Sequence, residues 1–127
     1  VAFSLAGNVL ANQLVDKRFE KQDPPLEHRE AGKWLKENFD SPVIMERKPW
    51  ASFYSGGTFV NLPYGNFSDV KEYGCYKKAE FMIADERYVG KLRPGLSYLL
   101  EKEKWHPDIV YENESNKNRL IVYKLDC

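Results

Sequence analysis

Two short charged clusters are the first candidates for chemistry, Glu46-Arg47-Lys48 and Asp85-Glu86-Arg87. Each follows an apolar run, Val43-Ile44-Met45 in one case and Phe81-Met82-Ile83-Ala84 in the other. If the runs are parallel strands, the clusters mark their C-terminal ends, where open α/β sheets bind ligands. A carboxylate from one cluster and a cation from the other would then share a cleft, with Arg47 and Asp85 as the pair to test first. The competing arrangement has these charges pair across the sheet edge and solubilise it. Trp50, Phe53, Tyr54 and Tyr64 add aromatic faces that either stack on sugar rings or fill the core. The candidate ligand or partner surface is therefore Glu46, Arg47, Lys48, Trp50, Tyr54, Asp85 and Arg87.

Other chemistries find little support. Ser55-Gly56-Gly57 follows a helical stretch, whereas a dinucleotide-binding glycine loop lies between the first strand and its helix. No serine has an elbow motif around it, and no cysteine lies beside a histidine, so no catalytic residue is assigned. His28 reads as a surface residue rather than a base, and His106 falls in a turn. No His/Cys cluster has zinc spacing, so neither a metal nor a cofactor is expected. Cys75 and Cys127 are the two cysteines, and the sequence leaves open whether they pair. Asn66-Phe67-Ser68 and Asn113-Glu114-Ser115 match the N-glycosylation sequon, which suggests two exposed polar loops.

The elements that would position the candidates follow from periodicity and punctuation. Pro42 to Pro63 reads as strand, helix, strand, with Pro49 opening the helix and Gly56-Gly57 closing it. Before it, Gln22-Asp23-Pro24-Pro25 is a break and a helix runs from Leu26 to Phe39, with Ala31, Trp34, Leu35 and Phe39 on one face. After it come a short helix from Asp69 to Lys78, capped by Ser68 or Asp69, and a strand from Ala79 to Asp85. Gly74 weakens that helix. A helix from Pro94 to Lys102 turns Leu96, Leu99 and Leu100 inward. Strands at 108–112 and 119–125 close the chain, joined by a six-residue polar loop, 113–118. The alternation predicts an α/β fold: a Rossmann-like, mainly parallel sheet of about five strands, with helices on both faces and a C-terminal antiparallel β-hairpin.

The 127 residues suit one domain, with 19 basic residues against 19 acidic ones. That balance gives no field for nucleic acid. Residues 1–25 read as an N-terminal helix, from Ala2 to Phe19, and a proline linker, and residues 26–127 as a single α/β domain. Val1 to Val15 carries no charge and is too short and polar to span a bilayer alone. It suits either a helix packing Phe3, Ala6, Leu10 and Leu14 on the core or a segment beside a membrane region. The absence of an initiator Met suggests a processed chain or a piece of a longer one.

The blocks EAGKWLKEN, VIMERKPWASFYSGGTFVNLP, AEFMIADER, PGLSYLLEKEKWHPDIVYEN and LIVYKL, in this order, resemble the soluble C-terminal domain of membrane-embedded glycosyltransferases of the GT-C type. Protein mannosyltransferases and lipid A aminoarabinose transferases are of this kind. The likeness covers about Glu27 to Leu125. It implies a domain outside the cytoplasm, attached to a polytopic membrane portion that uses a polyprenyl-phosphate sugar donor. The catalytic carboxylates would lie in that membrane portion, so none is carried over to this chain. Its partners would be the membrane portion of the same parent chain and a glycan or protein acceptor. The alternatives are a free-standing Rossmann-like module binding a small molecule at Glu46–Trp50 and Asp85–Tyr88, and, more weakly, a small hydrolase.

Overall fold

The computed structural model describes residues 24–101 and 106–127. The helix expected between Ala2 and Phe19 lies outside the described residues. The order of elements is α1 (Leu26–Asn38), β1 (Val43–Glu46), α2 (Trp50–Ser55), β2 (Thr58–Asn61), α3 (Phe67–Tyr76), β3 (Phe81–Asp85), α4 (Val89–Leu92), a 3-10 helix (Pro94–Leu100), β4 (Ile109–Ser115) and β5 (Asn118–Lys124). The five strands form one sheet in the order β2-β1-β3-β5-β4.

The sheet is mixed. β1 pairs in parallel with β2 and β3, whereas β5 runs antiparallel to β3 and β4. Parallel pairing is thus confined to the β2-β1-β3 side. The cause is the hairpin: β5 enters the sheet directly against β3, so its direction sets the other half.

Strand alternation divides the core in two. Ile44, Phe81, Ile83, Leu120 and Val122 point to one face, where Ala31 and Leu35 of α1 and Ala51 of α2 cover them. Met45, Met82, Ala84, Ile121 and Tyr123 point to the other, under Val70 of α3, Val89 of α4, and Leu96, Leu99 and Leu100 of the 3-10 helix. Helices do lie on both faces. The two crossover helices, α2 and α3, take opposite sides, as right-handed connections running in opposite directions along the sheet require. That makes the gap between β1 and β3 the topological switch point, the place where such sheets leave a crevice.

Two glycines permit close helix packing. A Cβ on Gly32 would stand 2.6 Å from the Tyr54 Cβ, so α1 and α2 touch there backbone to backbone. A Cβ on Gly74 would meet Leu125 and Met45 side chains at 2.9 Å, so the glycine that weakens α3 also lets it seat on the sheet. Cys75, the next residue, is disulfide-bonded to Cys127 with Cα atoms 5.6 Å apart. The bond ties α3 to the tail that follows β5.

Several boundaries depart from the sequence reading. α3 begins earlier, because Asn66 rather than Ser68 or Asp69 is the cap: its side chain accepts the Asp69 N–H at 2.9 Å. The helix at Pro94 is 3-10, and the short α4 precedes it. The polar loop 113–118 shrinks to the pair Asn116-Lys117, both with positive φ, 52° and 63°. Two left-handed residues in succession match the twist of a hairpin, and Asn accepts that conformation readily. The strands therefore extend to Ser115 and from Asn118, and Asn113 belongs to β4 instead of an exposed loop.

Candidate functional site

Alternation along β1 and β3 turns both strand-final carboxylates, Glu46 and Asp85, toward the face covered by α1. There Asp85 meets the first turn of α1 and Glu46 the first turn of α2. Asp85 Oδ2 lies 2.6 Å from His28 Nε2, while its Oδ1 accepts the Val89 N–H at 2.8 Å and the Tyr88 N–H at 3.3 Å. Glu46 caps α2: Oε1 accepts the Ala51 N–H at 3.1 Å, and Oε2 accepts the Ser52 N–H at 2.7 Å and the Ser52 hydroxyl at 2.5 Å. Arg87 closes the cluster by donating Nε to Glu27 at 2.9 Å. Glu27, His28, Glu46 and Asp85 are all buried.

Charge in the cluster is set by these partners. Burial pushes the Glu46 carboxyl up to about 7, against the lowering pull of the Ser52 hydroxyl, the Ser52 and Ala51 amides and the His28 charge. Burial also pushes Asp85 upward, but its His28 bond, the His28 charge and the Val89 and Tyr88 amides outweigh it and hold the group below the ordinary value. The Glu27 bond raises Arg87 further above its already high range.

The sequence-derived candidates are gathered at this end of the sheet, although not as a ligand-facing set. Glu46 and Asp85 are buried and engaged as above. Arg47 does not face Asp85. Its guanidinium lies over the Tyr88 ring, 4.5 Å from the centroid, and its Nε is buried without a hydrogen-bond partner among the described residues. Asp85 pairs with His28 because residues 46 and 85 share a face, whereas alternation starts Arg47 off on the opposite one. Lys48 is exposed. Trp50 is buried, its ring packed between His28 at 4.9 Å and Tyr88 at 5.5 Å. Tyr54 is half-buried at the Gly32 contact, and Phe53 beside it is half exposed, so the three aromatics of α2 do not share one environment. Tyr64 is exposed and stacks under Arg93, whereas Trp50 is buried.

His28 is buried rather than on the surface, and Glu27 joins it. A signal was present: His28, Ala31 and Leu35 recur at helical spacing, which assigns His28 to the apolar face of α1. Glu27 has no comparable mark, since a carboxylate in a first helical turn usually faces water.

Glu27, His28 and Asp85 each offer one donor atom, and these lie within 4.8 Å of one another. That spacing would suit a small cation. Glu27 is instead paired with Arg87 and Asp85 with His28 Nε2, so a cation would have to displace a guanidinium, while His28 Nδ1 is buried without a hydrogen-bond partner among the described residues. An open depression beside β3 is lined by Glu86, Gly90, Lys91, Ser97, Leu100 and Glu101, of which Glu86 belongs to the second charged cluster named from sequence. The arrangement is therefore a buried ion-pair and capping network that fixes α1, α2 and the turn after β3 against the sheet.

No family model, curated protein or solved structure matches the chain. Among the described residues, no helix is long and apolar enough to cross a membrane.

Proposed function

We propose that the chain is an extracytoplasmic accessory domain of a polytopic membrane glycosyltransferase, one that uses a polyprenyl-phosphate sugar donor, and that the domain is not catalytic by itself. It braces the membrane portion of its parent chain or shapes the acceptor side. The observation that carries the reading is the use made of the strand-end charges. At the switch point, where a catalytic or ligand-binding sheet would present free groups, Glu46, Asp85, Glu27 and Arg87 are consumed by caps and internal pairs.

Two further features support it. The Cys75–Cys127 disulfide suits an oxidising compartment, since such bonds are rare in reducing cytosol. The blocks that carry the family resemblance fall on α1, on β1-α2-β2, on β3, on the 3-10 helix and on the closing hairpin, and leave out α3 and α4. The β2-β1-β3 half, with crossover helices on opposite faces, is the Rossmann-like part of the reading.

The test is transfer by the full-length parent with and without this domain, using a polyprenyl-phosphate sugar donor. Deletion should depress transfer to the acceptor, while substituting Asp85 or Glu46 should act only through stability. A parent reading frame without roughly eight hydrophobic spans of about 20 residues each overturns the proposal.

A further inference from the structure

We propose that Asn66 is a site of N-linked glycosylation and that Asn113, which carries the same three-residue signature, is not. The inference rests on the extracytoplasmic reading above, because the sugar would come from a lipid-linked donor outside the cytoplasm.

The chemistry asks for a free carboxamide nitrogen. A bond forms between Asn Nδ2 and C1 of the donor sugar, and the C1–O bond to the lipid phosphate breaks. The lipid phosphate leaves with the electron pair, and one Nδ2 proton passes to a base of the transferase. Asn66 meets the requirement. It is exposed, and its capping bond to the Asp69 N–H at 2.9 Å uses Oδ1 alone. Nδ2 has no partner among the described residues. A glycosylated amide keeps Oδ1, so the cap on α3 survives the modification.

Asn113 fails the same requirement. It sits in β4, half-buried, with Nδ2 donating to the Glu27 carbonyl at 2.9 Å and to the Tyr111 hydroxyl at 3.0 Å. Both hydrogens are spent, and a sugar there would part β4 from α1.

The Asn66 loop is also held in place. Arg93 donates Nη2 to the Leu62 carbonyl at 3.1 Å and stacks on Tyr64 at 3.6 Å. Gly95 permits the Gly65 carbonyl to sit where a Cβ would be only 2.5 Å from it. Tyr64 is 76% exposed, two residues before Asn66. With Arg93 on one side of its ring, the other offers an apolar platform to the first sugar.

The experiment is peptide mapping by mass spectrometry of the full chain, purified with thiols trapped from the cells that make it. The expected result is a sugar-bearing peptide containing Asn66 and an unmodified peptide containing Asn113. Ser68→Ala should abolish the modification without touching the Asn66–Asp69 cap, and Asn113→Gln should leave it unchanged. An unmodified Asn66 in a chain whose Cys75–Cys127 bond is oxidised overturns this inference and leaves the extracytoplasmic reading standing. Free thiols at both cysteines overturn the two together. A glycan on Asn113 overturns the assignment.

Discussion

Glu46 and Asp85 hold equivalent places in the fold and carry opposite electrostatics. Each ends a parallel strand, each turns to the α1 face, and each accepts two backbone N–H groups from the turn that follows. Burial acts on both in the same direction. They differ in how strongly burial weighs, more on Glu46 than on Asp85, and in one further donor. Asp85 has the His28 ring at 2.6 Å, and Glu46 has the Ser52 hydroxyl at 2.5 Å. Hydrogen bonds with an ionised donor are roughly twice as strong as neutral ones. A donor able to carry charge therefore holds Asp85 ionised, while a neutral hydroxyl lets burial win at Glu46. Position at a strand end thus fixes which amides a carboxylate caps, while burial and the third partner together set its charge.

The largest expected effect breaks the Asp85 side. Asp85→Ala leaves His28 buried opposite nothing and frees two amides of the turn into α4. Removing one partner of a buried pair costs about 3–5 kcal/mol. Urea denaturation should show this loss, and a double-mutant cycle with His28→Ala should show strong coupling between the two positions. A loss below about 1 kcal/mol, within the range of surface pairs, would mean that His28 contributes no more than a hydroxyl does.

The Glu46 side should reveal itself through pH. Its carboxyl stands near 7 in the folded chain against an ordinary 4.5, so the folded state holds the proton more tightly than the unfolded one. Its contribution is complete below about 4.5, declines as pH rises toward about 7, and is then lost. The decline amounts to something on the order of 3 kcal/mol. Asp85 has the reverse sign: its contribution is present above its ordinary 3.8 and is lost as pH falls through its lowered folded value. Urea midpoints measured against pH should fall between 4.5 and 7 in the native sequence and stay level there in Glu46→Gln. Parallel curves for the two proteins would break the contrast.

Much of this arrangement was legible in the sequence. The Val43–Glu46 and Phe81–Asp85 runs, Pro49 and Gly56 mark β1, α2 and β3 because local rules govern them: apolar runs, a proline at a helix start, a left-handed glycine at its end. The sequence places Glu46 and Asp85 at strand ends, and both end parallel strands in the structure. The Arg47–Asp85 pairing is not formed: alternation turns Asp85 to His28 of α1 and Glu46 to the amides of α2, and Arg87, in the turn after β3, reaches Glu27. The mixed sheet was harder. Nothing local tells β5 to enter against β3 rather than beyond the parallel strands. The hairpin turn at Asn116-Lys117 lacks the glycine that usually announces it, and so the loop read as longer.

A smaller effect isolates the hydroxyl itself. Ser52→Ala removes one of three bonds to Glu46 and leaves both amides in place. The loss should be about 1 kcal/mol, as for a typical hydrogen bond. Because the hydroxyl lowers the Glu46 value, its removal should move that carboxyl further up, readable by NMR titration of the side chain. An unchanged titration would show that the amides alone set it.

The smallest effect concerns Arg47, which neither carboxylate uses. Its guanidinium stacks on Tyr88, whose ring also borders Trp50, and that aromatic contact links it to the cluster among the described residues. A cation over a ring at a partly exposed site contributes about 0.5–1 kcal/mol. Arg47→Ala should therefore shift the urea midpoint slightly and leave the pH dependence of Glu46 and Asp85 as it was. Trp50→Ala is the control at the same place, since Trp50 is buried between His28 and Tyr88 and its loss should cost about 3–5 kcal/mol. If Arg47→Ala instead alters the titration of Asp85, the two ends of β1 and β3 are coupled through Arg47 after all. The partner rule drawn from Glu46 and Asp85 would then have to include it.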